Sequence, residues 1–183
     1  MNGPWRRRFP GQPFRRRTWR GTLLLLAVAA FVVARLFFVA GRERAPETLA
    51  AGAVQIARVV DGDTLLLSDG ARVRLYGVDA PESVKPDHPV EPWGPEASAF
   101  TQQFVSQGDV RLAFDRERQD RFGRFLAYVW VGDELLNEEL LRAGLARAQL
   151  QYHYSESMKR RFRAAEQEAK RAQRGIWSHD GRR

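Results

Sequence analysis

Two aspartates, Asp63 and Asp79, stand at turns in a run of short β-rich segments. The first segment leads up to Asp63, the second runs back, and the third leads up again to Asp79. Because the first and third strands of such a meander run in the same direction, we predict that the two carboxylates lie at the same end. Adjacent carboxylates repel unless a cation sits between them, and hard oxygen ligands suit Ca²⁺ or Mg²⁺. The pattern therefore predicts a divalent-cation site.

Three more charged residues could act on a phosphate group beside such a cation: Arg74, Glu82 and Arg124. Glu82 follows soon after Asp79, and a carboxylate next to a metal can accept a proton from, or orient, an attacking water. A guanidinium pairs two phosphate oxygens and stays charged, so Arg74 and Arg124 are candidates for binding the developing negative charge on phosphorus. The alternative for both arginines is a solvated strand face.

Arg74 also poses a distance problem. On a straight strand it would lie about 16 Å from Asp79, at about 3.3 Å per residue. Only barrel curvature or a bend at Gly77 would bring the two side chains together. The hypothesis of a joint site therefore depends on the shape of the third strand.

The segments that would position these residues alternate β-rich runs with turn signals. Asp61-Gly62 and Asp69-Gly70 are strong hairpin signals between the first three strands. The last strand is rich in aromatic and β-branched residues. The five predicted strands are residues 54–60, 64–68, 71–78, 109–114 and 124–131.

Three helices are predicted in the second half of the chain. Gly94-Pro95 opens the first, which ends at Gly108. Asn137 is expected to cap the second, and Gly144 to end it in a left-handed conformation. The third spans residues 155–174, with an apolar stripe at helical spacing. Five strands with helices at one side predict a mainly β fold with α, a five-stranded OB-fold barrel with about three helices.

The N-terminal segment has the pattern of one transmembrane helix preceding this domain. Seven Arg precede an apolar run that is interrupted only by Arg35. The run reaches the length of about 20 residues that a bilayer span needs if Arg35 extends its guanidinium to the interface. We predict a basic N-terminus at 1–21, a transmembrane signal-anchor at 22–41, a linker at 42–52, the folded domain at 53–178 and a polar tail at 179–183.

The excess of Arg before the span places the N-terminus in the cytoplasm and the domain on the extracytoplasmic side. A cleaved signal peptide, which would leave a secreted domain, and a mitochondrial presequence remain open alternatives. The small-residue triplet Ala51-Gly52-Ala53 lies too far beyond the apolar run for an ordinary cleavage site. The anchor is therefore the favoured interpretation.

The location of the charge matters more than its total of +8. The first 44 residues carry ten Arg and one acid, whereas residues 45–183 carry 20 basic and 21 acidic residues. Bulk basicity of the domain thus gives no support to nucleic-acid binding, which must depend on individual site residues. The chain has no cysteine, which excludes disulfides and thiolate metal sites.

Six segments, in this order along the chain, resemble signatures of the staphylococcal nuclease (thermonuclease) family. They are VDGDT (60–64), RLYGVDAPE (74–82), GPEASAF (94–100), DRFGRFLAY (120–128), NEELLRAGLA (137–146) and GIWS (175–178). The resemblance covers residues 54–178 and implies an OB-fold barrel that binds Ca²⁺ and hydrolyses DNA and RNA at the 5′ P–O bond, leaving 3′-phosphate ends. It assigns Ca²⁺ to Asp63, Asp79 and the backbone carbonyl of Ala80, the attacking water to Glu82, and the scissile phosphate to Arg74 and Arg124.

Several positions depart from the family pattern. Ala80 stands where a Thr is familiar, and Phe122 stands where a phosphate-contacting Tyr is familiar. The loop at 84–93 differs and the segment 147–154 is longer than usual. The expected substrate contacts are Arg121, Tyr152 and Tyr154, with the two tyrosines either stacking on bases or packing on the flank of the barrel.

Two function classes therefore compete. The first is an active Ca²⁺-dependent nuclease, with nucleic acid as substrate and the membrane as anchor. The second is a non-catalytic OB-fold module, tethered to the membrane, that binds nucleic acid or a protein. The presence of all five charged site positions favours catalysis, since an unused cluster of charges that face the interior is costly to retain.

Overall fold

The structure is a computed structural model that describes Val28, Phe31 and residues 46–83 and 90–178. The chain divides into two compact units, Met1–Glu43 and Arg44–Arg183. In the first unit, Val28 and Phe31 are helical and their side chains are exposed.

The predicted N-terminal regions and the predicted C-terminal tail lie largely outside the described residues. The basic segment 1–21, the tail 179–183 and the transmembrane segment 22–41, apart from its two described residues, are not among the described residues. No helix within the described part of the chain is both long and apolar enough to cross a membrane.

The second unit consists of short strands with three α-helices. The strands are β1 (Gly52–Val54), β2 (Ile56–Asp61), β3 (Thr64–Leu67), β4 (Arg72–Leu75), β5 (Val78–Asp79), β6 (Val110–Ala113), β7 (Phe125–Val131), β8 (Glu134–Leu135) and β9 (Arg147–Ala148). The helices are α1 (Gly94–Val105), α2 (Leu136–Arg142) and α3 (Glu156–Arg171), followed by a 3₁₀ turn at Gly175–Trp177.

The strands form a barrel that is closed by one bent strand. Hydrogen-bonded neighbours follow the order β1-β6-β7-β4-β3-β2, and β7 pairs with β6 antiparallel and with β4 parallel. Only Gln55 separates β1 from β2, so the two ends of this path are consecutive in the chain; β2 corresponds to the strand predicted at 54–60, and β1 extends it toward the N-terminus. With β1–β2 and β4–β5 each counted as one bent strand, the five-stranded OB-type barrel with three helices is confirmed.

The strand predicted at 71–78 bends at Gly77. This residue has a φ of 79°, a left-handed conformation that favours glycine. A Cβ atom there would lie 2.8 Å from ring carbons of both Tyr154 and Phe162, so the bend packs directly against aromatic rings before and within α3. Beyond the bend, β5 pairs with β9. The change of direction that a joint site requires is therefore present.

Asn137 has a different role from the predicted helix cap. Helix α2 begins one residue earlier, at Leu136. The buried Asn137 amide accepts a hydrogen bond from the Val129 N–H at 3.0 Å and donates to the carbonyls of Tyr76 and Ala127 at 2.9 and 3.3 Å. The cap prediction is wrong because the Asn137 side chain forms its hydrogen bonds with these backbone groups instead of with the helix end. The groups are buried between β7 and the bend after β4 and have to be paired.

The other helices lie where they are predicted, although α1 ends at Val105 and α3 at Arg171, each three residues before the predicted end. Helix α1 begins at Gly94, and Ser155 caps α3 by accepting a hydrogen bond from the Met158 N–H at 3.4 Å. Gly144, just beyond α2, is left-handed with a φ of 73°. The stripe of α3 lies in the core through its buried residues Phe162, Ala165 and Ala169.

Candidate active site

Asp63 lies in the turn between β2 and β3 and is only 2% exposed. Its Oδ1 accepts hydrogen bonds from Arg74 Nη1 at 2.7 Å and from the Thr64 hydroxyl at 3.0 Å. Its Oδ2 accepts from the backbone N–H of Ala80 at 2.8 Å. Burial raises the pKa of Asp63 to about 7, and the nearby Arg74 charge only partly opposes this effect. A carboxylate this deeply buried requires positive charge close by.

The turn that carries Asp63 is held by close packing at Gly62. A Cβ atom at Gly62 would lie 2.6 Å from the Cβ of Ala97 and 2.8 Å from that of Ala80. The Thr101 hydroxyl donates a hydrogen bond of 2.6 Å to the Gly62 carbonyl. Helix α1 and the segment after β5 therefore both press on the backbone of this turn, and only glycine leaves room for them.

Arg74 joins the two aspartates of the predicted cation site. Its Nη1 contacts Asp63 and its Nη2 contacts Asp79 Oδ1 at 2.5 Å. The side chain of Asp79 remains 47% exposed, and its Oδ2 accepts from Gln149 Nε2 at 3.1 Å. The structure thus brings Asp63, Arg74 and Asp79 together, and the bend at Gly77 removes the distance problem of a straight strand.

The donor set fits a hard divalent cation. When both carboxylates are ionised, they share the single positive charge of Arg74, which leaves this cluster of three residues with one net negative charge. Asp79 is open to solvent, so a cation has a route of approach. Among the described residues, no group of three or more His, Cys, Asp or Glu side chains could hold a metal ion. A cation bound here would therefore need backbone oxygen, such as the Ala80 carbonyl, and water to complete its coordination.

Arg124 directly precedes β7 and is held by the turn that begins at Asp120. Asp120 Oδ2 accepts from Arg124 Nε at 2.7 Å, while Oδ1 accepts the backbone N–H groups of Phe122 and Arg124 at 2.9 and 3.0 Å. Partial burial raises the pKa of Asp120, but the hydrogen bonds from Arg124 and Phe122 outweigh it and hold the pKa below its usual value. Among the described residues, the Nη1 and Nη2 atoms of Arg124 have no hydrogen-bond partner.

Arg74, Asp79 and Arg124 line one cleft of about 500 Å³. The bend after β4, the turn before β7 and the segment after β9 meet there. The remaining lining residues are Leu75, Tyr76, Gly77, Val78, Glu117, Gln119, Asp120, Arg121, Phe122, Leu126, Gln149 and Tyr152. The cleft therefore carries both arginines that the sequence assigned to a phosphate group.

The expected substrate contacts divide into two groups. Arg121 and Tyr152 line the cleft, and Tyr152 is 49% exposed. Tyr154 is 2% exposed, and its ring packs against Tyr76 and Phe162 with centroid distances of 5.2 and 5.8 Å. In this structure Tyr154 is a core residue, because the bend at Gly77 uses its ring as a packing surface. It corresponds to the alternative of a hydrophobic contact and not to a base-stacking residue.

Glu82 lies beyond the cation cluster, at the start of the loop that leads to α1. Its backbone N–H donates to Glu91 Oε2 at 3.2 Å, and its carbonyl accepts from the Glu91 N–H at 3.0 Å. The residues that line the cleft do not include Glu82 among those described. Its backbone is anchored, and among the described residues no ion pair joins its carboxylate to Arg74 or Arg124.

Sequence reasoning assigned no role to two residues of this site, Asp120 and Gln149. Asp120 binds the guanidinium of Arg124, and Gln149 binds the carboxylate of Asp79. The spacing of four residues between Asp120 and Arg124 across a Gly-containing turn could have indicated the first contact. The second depends on the pairing of β5 with β9, which no local pattern indicates.

The relationships of this chain to known proteins identify its family. A family model described as "Staphylococcal nuclease homologue" matches residues 72–179. The chain belongs to the staphylococcal nuclease family. It is 40% identical to a thermonuclease of Staphylococcus hyicus over 169 residues, which cover 86% of this chain and 97% of that protein. A thermonuclease of Staphylococcus intermedius is 47% identical over 125 residues, with 67% and 74% coverage. Endonuclease YncB of Bacillus subtilis is 40% identical over 132 residues, with 70% and 63% coverage.

For this staphylococcal nuclease family member we expect Arg74→Ala to lower the free energy of unfolding by about 3 kcal/mol, because it leaves the buried Asp63 carboxylate without its partner charge. Urea denaturation of the full chain in mild detergent with a chelator, followed by tryptophan fluorescence, measures the change. Arg72→Ala is the matched control on the same strand, since Arg72 is exposed, and its effect should stay within about 0.5 kcal/mol. Equal effects of the two variants would contradict the assigned role of the ion pairs.

Proposed function

We propose that this chain is a Ca²⁺-dependent phosphodiesterase that hydrolyses DNA, RNA or both. The observation that carries the proposal is the single cleft lined by Arg74, Asp79 and Arg124, in which Arg74 also binds the buried Asp63. Membership of the staphylococcal nuclease family, with relatives named thermonuclease and endonuclease, supports nucleic acid as the substrate class.

Arg124 is proposed to bind the scissile phosphate. Its Nε is engaged by Asp120, so the outer edge formed by Nη1 and Nη2 is available for two phosphate oxygens. A guanidinium that meets growing negative charge on the phosphoryl oxygens stabilises the transition state more than the ground state. Arg74 would add a second positive charge to the same cleft, where a phosphate competes with Asp63 and Asp79 for its donors.

Ca²⁺ is proposed to be held by Asp63, Asp79 and the backbone carbonyl of Ala80. The residues fit because two carboxylates share only one positive charge and one of them is half exposed. When bound, the ion would supply Lewis-acid stabilisation of negative charge on the phosphoryl group. The protein's own contribution is to hold both carboxylates in place before binding, through Thr64, the Ala80 N–H and Gln149.

Glu82 is proposed to orient the attacking water and accept its proton. The water oxygen forms the new bond to phosphorus, and the bond from phosphorus to the 5′ oxygen breaks. The products are a 3′-phosphate end and a 5′-hydroxyl end, whose oxygen takes up a proton. Arg121 and Tyr152, which line the cleft, are proposed to contact the substrate beyond the scissile phosphate.

We expect the full chain in mild detergent to degrade single-stranded DNA or RNA when Ca²⁺ is present and to lose this activity with a chelator. Arg124→Ala should lower kcat by about 100- to 1,000-fold, as is typical when one preorganised donor to a transition state is removed. Arg116→Ala, an exposed arginine at the end of the preceding segment, is the matched control and should retain activity.

Folded protein that cleaves neither DNA nor RNA with Ca²⁺, Mg²⁺ or Mn²⁺ would overturn the proposal. Gel-shift binding to single-stranded DNA by such an inactive protein would favour the alternative of a non-catalytic OB-fold module.

Calcium binding can be measured without any substrate. Ca²⁺ at about 100 times its Kd should stabilise the folded chain by about 2.7 kcal/mol and so raise its Tm by several degrees. Asp79→Asn, which removes a ligand charge, should abolish the shift. Asp133→Asn, at an exposed turn, is the control and should keep it. An unchanged Tm of the wild-type chain across Ca²⁺ concentrations would exclude this cation site.

We also propose that residues 22–41 anchor the chain, with the N-terminus cytoplasmic and the nuclease domain on the extracytoplasmic side. The apolar run behind seven Arg supports this orientation. The full chain should stay with the membrane fraction after an alkaline wash, whereas a variant that lacks residues 1–41 should not. A released form that has lost the apolar run would instead indicate a cleaved signal and a secreted enzyme.

A further inference from the structure

Asp120 uses its two carboxylate oxygens for different tasks. Oδ1 accepts the backbone N–H groups of Phe122 and Arg124, which closes the turn before β7. Oδ2 accepts only the Nε of Arg124, at 2.7 Å. The side chain of Asp120 is 17% exposed, so water competes weakly for these contacts. The turn and the guanidinium are therefore held by separate atoms of one residue.

The contact to Nε determines which edge of the guanidinium is available. An arginine side chain has many rotamers, and a phosphate that bound a freely rotating Arg124 would have to immobilise it first. With Nε fixed, the planar group keeps Nη1 and Nη2 for a substrate, and both lack a hydrogen-bond partner within the described part of the chain. Asp120 lowers the net positive charge of the cleft. Attraction of a phosphate therefore does not explain why an acid lies at this position.

We propose that Asp120 is a positioning residue for the hydrolytic reaction, which orients the Arg124 guanidinium toward the scissile phosphate before the substrate binds. This inference rests on the proposed function. Asp120 touches no reacting atom and acts through Arg124. The guanidinium stabilises charge that grows in the transition state, so its orientation affects kcat more than KM.

A solely structural role in the turn is the competing explanation, and the two oxygens separate the two roles. Asp120→Asn keeps an oxygen for the two backbone N–H groups but replaces the acceptor of Arg124 Nε with an amide NH₂, which cannot accept. Asp120→Ala removes both sets of bonds. The control is Asp69→Asn, because Asp69 closes a comparable turn by accepting from the Ala71 N–H at 2.9 Å and does not line the cleft.

The experiment measures kcat, KM and Tm of the full-length variants with single-stranded DNA and Ca²⁺, at a temperature below every unfolding midpoint. Asp120→Asn should lower kcat by about 10- to 100-fold, with KM changed much less and Tm close to wild type. Asp120→Ala should show a similar loss in kcat together with a lower Tm. In the Arg124→Ala background, Asp120→Asn should cause no further loss, because both changes act on the same group.

Three results would overturn the inference. A kcat of Asp120→Asn equal to that of wild type or of Asp69→Asn would show that the Nε contact has no catalytic effect. An equal loss in the Arg124→Ala background would show that Asp120 does not act through Arg124. A wild-type chain that does not cleave would overturn the proposed function itself, and with it this role, whereas the first two results leave the nuclease function intact.

Discussion

The structure of this site depends on one constraint, a carboxylate at Asp63 that is almost completely buried. Such a group is stable in charged form only when donors and positive charge surround it, and even with these partners burial keeps the pKa of Asp63 raised to about 7. Arg74, Thr64 and the Ala80 N–H supply these partners from three different segments of the barrel. The hydrogen bonds to the two carboxylate oxygens of Asp63 therefore join β3, β4 and the segment after β5 at one point.

Two glycines near this site allow close packing that a residue with a Cβ atom would prevent. Gly62 lets Ala97 and Ala80 approach the turn of Asp63, and Gly77 lets the chain reverse against the rings of Tyr154 and Phe162. The first contact ties the site to α1, and the second ties it to α3 through the core. The turn of Asp63 and the bend between Arg74 and Asp79 are therefore packed against elements that lie outside the cleft.

Features of the site that are local, or that follow from strand direction, could be predicted from the sequence. Hairpin signals and strand direction placed Asp63 and Asp79 at one end, and the condition of a bend at Gly77 is met in the structure. The role of Asn137 could not be predicted, because its side chain forms hydrogen bonds with backbone groups of β7 and not with a helix end. The burial of Tyr154 depends on packing between segments far apart in the chain, which spacing along the sequence does not reveal.

The two arginines of the cleft are bound to acids in different ways, and the difference separates their roles. Arg74 gives Nη1 to Asp63 and Nη2 to Asp79, so its outer donors already serve a cluster that carries excess negative charge. Arg124 gives only Nε to Asp120 and keeps its outer edge. A phosphate can therefore bind Arg124 without breaking an ion pair, whereas it must compete for Arg74. A cation that neutralised Asp63 and Asp79 would ease this competition, so in the proposed function Arg74 would link cation binding to substrate binding.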